Sequence, residues 1–307
     1  MNTARIAKLL EPFLVTSLAA SETFVSSNSN RPEASCFSAP AISQQAGSRP
    51  GRREPPVLSP IQLEHISMYI DILLRWNARI NLTAIRDPEE IVTRHFGESL
   101  FAASHLFPVP ASMSPVSSVV TGVDSTIDAH PERKEASAPA SVLNENLFVS
   151  ARSSTLADIG SGAGFPGLPI KLWAPHISLT LIESNHKKAA FLREVIRALT
   201  LTDVNIQTAR AETLIGSSYN VVTLRAVERF ESILLTAAAL VAPAGSLALL
   251  IGTYQHQKAR STLPAFDWSE PVPIPHSRAR VLLIGSQPSN KWSKDTTRQP
   301  PQTPSSQ

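Results

Sequence analysis

Cysteine is nearly missing from this 307-residue chain: Cys36 stands alone. A single thiol excludes an intrachain disulfide and a metal site built on several cysteines, and it fits a reducing compartment. No apolar run reaches the 18 residues that a membrane-crossing helix needs. The N-terminal stretch has two basic and several small residues, but Glu11 and Pro12 interrupt its apolar part, which argues against a secretory signal. The expected location is therefore cytoplasmic. Charge is also sparse: charged residues make up 17% and the net charge is +3, where about a quarter is usual. A pI near 9.2 permits a nucleic-acid partner without requiring one. The eight histidines are scattered without ligand spacing, so no metal site is expected.

Proline outnumbers glycine, 25 to 12. Pro-, Ser- and Ala-rich stretches at 15–57 and 107–153 lack periodicity and read as disordered insertions; 287–307 reads as a disordered tail. Residues 1–14 can form a short helix. A helical cap is expected over 58–106. Its first helix runs from Pro60 to Trp76, with Ser59 as cap and Ile66, Ile70, Leu73 and Leu74 on one face. Asn77–Asp87 is polar and loop-like. The second helix has Asp87 as N-cap, Pro88 at its first position and Glu90 completing a capping box, and ends near Leu106.

From Thr155 the pattern becomes regular. Apolar runs at 155–159, 178–182, 203–208, 219–224 and 246–251 alternate with helical stretches at 167–174, 186–199, 229–241 and 255–262. That alternation predicts an α/β domain over 154–286 with a doubly wound, mostly parallel sheet. A last strand pair is expected near 267–273 and 279–285.

The strongest local signal follows the first strand: Asp158, Gly160, Gly162, Gly164, Phe165 and Gly167 lie in one strand-turn-helix run. Glycines allow positive φ and let a ligand approach the backbone; N–H groups at the helix start favour anionic or polar groups. Glu183, about twenty residues on, ends the second strand and could hold ribose hydroxyls. A nicotinamide or flavin cofactor fits this pattern, as does S-adenosylmethionine. Asp158 could reach a donor's ammonium group or order the turn. Glu212, after the third strand, could meet an adenine.

Several segments, in the same order, resemble the bacterial small-subunit rRNA guanine-N7 methyltransferases (RsmG, also called GidB). They are Asp158-IGSGAGFPGLP-Ile170; Trp76-Asn77 with Asn81-Leu82-Thr83; Arg86-Asp87-Pro88; Arg94-His95 through Glu98-Ser99; Glu183-Ser184 with Lys187-Lys188 and Phe191-Leu192; and Thr223-Leu224-Arg225-Ala226. The resemblance covers about 58–106 and 155–285. It implies a class I, Rossmann-like methyltransferase with an N-terminal helical cap. It also implies S-adenosylmethionine contacts at Gly160, Phe165, Ala211, Glu212 and Arg225, and a methyl acceptor at N7 of one guanine in 16S rRNA. Two departures stand out: Ile251 precedes Gly252 where the family usually has Lys, and the two long insertions, 15–57 and 107–153, are foreign to compact members.

Guanine N7 carries a lone pair and no proton, so its methylation needs alignment and electrostatics rather than an acid–base pair. Arg225, at a strand's carboxyl end, is the candidate catalytic residue, orienting donor or guanine; alternatively it pairs with a carboxylate such as Glu228. Arg94 and His95 are candidates for RNA or cofactor contact, or for a polar contact between helices. Asn81 and Thr83 could shape the pocket rim or cap a turn. Lys187, Lys188, Arg193 and Arg197 form a basic helix face suited to phosphates or merely to solvent. Trp76 could stack a base or pack the cap. Arg278 and Arg280 could extend the basic surface. The expected partner is 16S rRNA or the small ribosomal subunit, with no metal and no membrane, and a monomer as the working form. A nicotinamide-dependent oxidoreductase and an inactive rRNA-binding relative are the alternatives.

Overall fold

A computed structural model describes residues 1–15, 57–108, 154–214, 216–225 and 230–288. The stretches read as insertions and tail fall largely outside these residues.

The cap is built from α1 (Thr3–Val15), α2 (Pro60–Ile80), α3 (Pro88–Glu90), a π-helical segment (Ile91–Gly97) and α4 (Glu98–Leu106). Ser59 and Gln62 form a capping box at the start of α2, and Gln62 Nε2 donates to the Leu172 carbonyl at 2.7 Å. The helix outlasts its expected end at Trp76 by one turn. The reason is Asn77, whose buried amide donates to the Thr83 carbonyl and accepts from the Thr83 N–H, both at 2.9 Å. A polar side chain so satisfied can sit inside a helix. At the next helix Asp87 accepts from the Glu90 N–H at 2.8 Å. Only that half of the expected capping box is present, because the Glu90 carboxylate faces Arg94 at 3.7 Å.

The α/β domain contains β1 (Thr155–Ile159), α5 (Gly167–Trp173), β2 (Ser178–Ile182), α6 (His186–Ala198), β3 (Val204–Gln207), β4 (Tyr219–Arg225), α7 (Phe230–Ala239), β5 (Val241–Gly252), α8 (His256–Thr262), β6 (Asp267–Trp268), β7 (Val272–Pro273) and β8 (Arg280–Ser286). The strand order is β3-β2-β1-β4-β5-β8-β6, with β7 also on β8. β1 to β5 are parallel, and β8 runs antiparallel between β5 and β6. The sheet is the doubly wound, mostly parallel, Rossmann-like one that the alternation predicts. The strand expected over 267–273 is instead two fragments, separated at Pro271, which has no N–H for a ladder.

Side chains alternate across the sheet. Leu156, Leu179 and Leu181 face Ile66 and Tyr69 of α2 and Phe191 of α6. Ala157, Val222, Leu224, Leu247 and Leu249 face Leu234 of α7 and Ala259 of α8. Ala248 and Leu250 return to the cap side with Phe13 and Phe101. Each buried Leu, Ile or Phe contributes about 1.5–3 kcal/mol, so the cap belongs to the domain's core. The strand order reverses beside β1, which opens a crevice beyond the carboxyl ends of β1 and β4. Ile159 and Arg225 end those two strands.

Candidate cofactor and active site

The chain leaves β1 through three left-handed glycines: φ is +67° at Gly160, +56° at Gly162 and +85° at Gly164. Gly164 is fixed twice over. A Cβ there would collide with Tyr69 Oη and lie 2.6 Å from Leu168 Cδ1. Tyr69 Oη donates to the Ala163 carbonyl at 2.6 Å, so the cap clamps the turn directly.

Asp158 is buried at the end of β1. Its carboxylate accepts from Thr223 Oγ1 at 2.8 Å and from the Gly167 N–H at 3.2 Å. Ser161 Oγ donates to the Asp158 main-chain carbonyl at 2.8 Å. Burial raises the Asp158 pKa from 3.8 to about 6, against the lowering effect of its hydrogen bonds to Thr223 and Gly167. Of the two roles open to Asp158, ordering the turn is the one these bonds provide.

Glu183 lies beside the turn. Oε2 accepts from the Gly162 N–H at 2.9 Å, and Oε1 from the Asn185 N–H at 2.8 Å. A carboxylate has about four acceptor sites, so capacity for hydroxyl donors remains. Ala211 is buried and begins a short 3-10 turn after β3, on which Glu212 is exposed.

Phe165 ties the turn to the cap. Its ring stacks against His95 (4.7 Å, 20°) and Tyr69 (5.4 Å, 5°), with Phe96 edge-on. His95 stands on the π-helical segment, an irregularity frequent at functional sites. Its Nδ1 is 3.1 Å from Arg225 Nη1 and its Nε2 is 2.8 Å from Thr83 Oγ1. Arginine can only donate. Nδ1 is therefore the acceptor and the proton sits on Nε2, directed at Thr83. Burial, with Arg225, Arg280 and Arg94 nearby, lowers the His95 pKa from 6.5 to about 3. The ring is neutral at physiological pH.

Arg225 is 7% exposed. Its Nη2 donates to the Arg94 carbonyl at 2.6 Å and to Glu98 Oε2 at 2.9 Å. Arg280 Nη1 reaches the same oxygen at 2.5 Å, and Arg94 Nε is 3.3 Å from Glu98 Oε1. Three guanidinium groups thus converge on one buried carboxylate. Arg225 does pair with a carboxylate, but across the cap boundary; Glu228 lies outside the described residues.

The other sequence candidates divide. Asn81 caps α2 in the left-handed region (φ 49°) and is exposed. His95 and Arg94 are joined to Arg225 at the end of a strand and, for Arg94, to Glu98 one turn on, a polar contact between cap and sheet rather than between helices. Lys187 is exposed and Lys188 half-buried in the first turn of α6, close in sequence to Glu183. Arg193 donates to Thr208 Oγ1 at 3.0 Å. Trp76 donates to Glu194 at 2.9 Å and meets Phe191 edge-on, which is cap packing. Arg280 is committed to Glu98 rather than to an open basic surface. Ile251 is 5% exposed in the core beside α7. Tyr69 and Glu98 hold contacts that the sequence motifs do not assign. A hydroxyl on an otherwise apolar helix face was the available signal for Tyr69. Among the described residues no group of three His, Cys, Asp or Glu side chains could hold a metal ion, and no helix is long and apolar enough to cross a membrane.

Residues 62–109 and 140–277 match the family described as rRNA small subunit methyltransferase G (GidB). Relatives include ribosomal RNA small subunit methyltransferase G of Xanthomonas campestris pv. campestris (strain 8004), 34% identical over 198 residues, 64% of this chain and 72% of that one. The same-named protein of Xanthomonas euvesicatoria pv. vesicatoria (strain 85-10) is 33% identical over 221 residues, 70% of this chain and 82% of that one. A solved O-methyltransferase family protein from Burkholderia thailandensis is more distant: 17% identity and a TM-score of 0.40, over 46% of this chain and 53% of that one. On the extent of these matches, the chain belongs to the rRNA small subunit methyltransferase G family.

Proposed function

We propose that this protein transfers a methyl group from S-adenosylmethionine to N7 of a guanine in 16S rRNA. The observation that carries the reading is the glycine turn with Glu183 against it, at the strand-order reversal, in a chain of this family. The names of the relatives support small-subunit RNA as the acceptor.

The residues suit the donor. Three left-handed glycines leave alternate positions of the turn without side chains at the strand end, and the Glu183 carboxylate keeps acceptor capacity for ribose hydroxyls. Gly160, Gly162, Gly164 and the Phe165 backbone would line the donor, with Ala211 and Glu212 toward its adenine. Asp158 would hold the turn in shape. When bound, the donor supplies a methyl group already activated on a sulfonium. The protein's task is then alignment. A guanine N7 has no proton to lose, so no residue needs to act as a base, and a neutral His95 with a buried Asp158 bonded to Thr223 and Gly167 is consistent with that. Arg225 acts here as a positioning residue, locking His95 and the Arg94 backbone to the end of β4. Lys187 and Lys188, with Asn81 and Arg94 at the cap rim, would meet RNA phosphates. The reading places the protein in the cytoplasm, as a monomer, acting on rRNA or the small subunit.

The test is transfer of labelled methyl groups to undermethylated 16S rRNA, free and in small-subunit particles, with mapping by chain cleavage at 7-methylguanine. Label at one cleavable guanine is the expected result. Absence of transfer to both forms overturns the proposal; transfer without a cleavable product overturns N7.

A further inference from the structure

Tyr254 is 83% exposed, the most exposed large hydrophobic side chain among the described residues. Its place in the fold is specific. β5 ends at Gly252, and β5 lies parallel to β4 with Leu250 in register with Arg225. Tyr254 therefore emerges just past the same carboxyl edge of the sheet that carries the glycine turn. Its support is rigid. The Gly252 N–H donates to Gln255 Oε1 at 2.9 Å, and the Thr253 N–H donates to the Ala279 carbonyl at 2.9 Å, pinning the turn at both ends. The ring rests on Gly252 itself, where an added Cβ would come within 2.6 Å of Tyr254 Cε1. Beside it runs a groove of about 520 Å³, lined by Tyr254, Gln255, Lys258, Phe230, Glu231 and Ser232. Lys258 and Glu231 pair at 3.0 Å, 49% and 64% exposed, an arrangement that is weak in water and easily opened.

We infer that Tyr254 is a stacking platform for an unpaired base of the RNA substrate, beside the nucleotide being methylated. The inference rests on the rRNA reading above and adds where the strand runs: from the glycine turn across the end of β5 and over the start of α8. An exposed ring held on a pinned turn is what base stacking requires. It presents a π face and loses little freedom on binding, and proteins that take single strands use such rings. The groove gives the base a second wall, in which Phe230 contributes apolar surface. Lys258 can exchange Glu231 for a phosphate of the same strand. A buried tyrosine would do none of this, and an exposed one far from the carboxyl edge would have no strand to meet.

The test compares wild type with Tyr254→Ala and Tyr254→Phe. Three affinities are measured at one salt concentration: undermethylated 16S rRNA, a duplex RNA, and S-adenosylhomocysteine. Tyr254→Ala should weaken 16S rRNA binding by roughly tenfold or more. Tyr254→Phe should stay within about twofold of wild type, because the π face remains. Duplex binding and S-adenosylhomocysteine binding should be unchanged in both variants. Wild-type affinity of Tyr254→Ala for 16S rRNA overturns the platform and leaves the methyltransferase reading standing. Equal weakening for duplex RNA also overturns it, because duplex bases offer no free face. A wild-type protein that binds no 16S rRNA overturns both.

Discussion

The imidazole of His95 stacks on the phenyl ring of Phe165, with centroids 4.7 Å apart and planes 20° from parallel. One ring belongs to the cap's π-helical segment and the other to the glycine turn. The same imidazole accepts from Arg225 at the end of β4 and donates to Thr83. Three parts of the chain far apart in sequence therefore meet at one neutral histidine. His95→Ala removes the stack and the two hydrogen bonds of the imidazole, to Arg225 Nη1 and Thr83 Oγ1. The expected loss is about 2–4 kcal/mol, from about 1 kcal/mol for the ring pair and about 1–3 kcal/mol for the two lost hydrogen bonds. His95→Phe should recover the ring part only. Urea denaturation of the two variants measures the split.

The acid limb of stability follows from two shifted groups. His95 has its pKa lowered from 6.5 to about 3, chiefly by burial. In that window the unfolded chain binds a proton that the folded chain refuses, so His95 favours folding above pH 6.5 and loses that contribution as pH falls. Asp158, raised by burial from 3.8 to about 6, acts in the opposite sense: the folded chain holds the extra proton, and stability is lost as pH rises through 6. Between about pH 6 and 4 the two groups oppose each other proton for proton, so this pair leaves net stability about level there and lowers it only between about pH 6.5 and 6 and again below about pH 3.8. Melting temperatures across that range check it: wild type should stay about level, and His95→Phe, which leaves Asp158 unopposed, should gain stability as pH falls from about 6 to 4.

Glu98 is the single carboxylate under Arg94, Arg225 and Arg280 and is 1% exposed. Its removal takes the Glu98 counter-ion from the nearly buried Arg225 guanidinium. Glu98→Ala should destabilise the fold by about 3–5 kcal/mol. Arg225→Ala should be destabilising as well, and the double variant should lose less than the sum of the two. Additive losses in thermal melts would show that the pair is not coupled.

Gly164 and Gly216 both have positive φ, +85° and +91°. A Cβ on Gly216 would meet nothing within 4 Å, whereas one on Gly164 would strike Tyr69 and Leu168. Gly216→Ala should carry only the left-handed backbone penalty, about 1–2 kcal/mol. Gly164→Ala should exceed it by about 1–3 kcal/mol of overpacking and should also weaken S-adenosylhomocysteine binding. Equal losses in the two variants would mean that Tyr69 yields freely.

The sequence showed the sheet well because buried parallel strands write themselves as short apolar runs. Thr155–Ile159 and Ser178–Ile182 have the expected limits. The glycine turn and Glu183 were legible for the same local reason. Long-range pairing was not. Nothing near Glu98 in sequence announces Arg280, 182 residues away. The π-helical segment shifts the buried positions by one, with Ile91 and Val92 recurring at Phe96 and Gly97, an offset too short for the periodicity of 88–106 to separate it from an α-helix. Asn77 read as the start of a loop because its partner, Thr83, becomes visible only once the chain has turned back.

Calorimetric titration of wild type and Glu183→Ala with S-adenosylhomocysteine, and of wild type with NAD, tests the donor site most directly. The account predicts saturable heat with S-adenosylhomocysteine, at least tenfold weaker binding in Glu183→Ala, and no heat with NAD. Saturable heat with NAD and none with S-adenosylhomocysteine would contradict it.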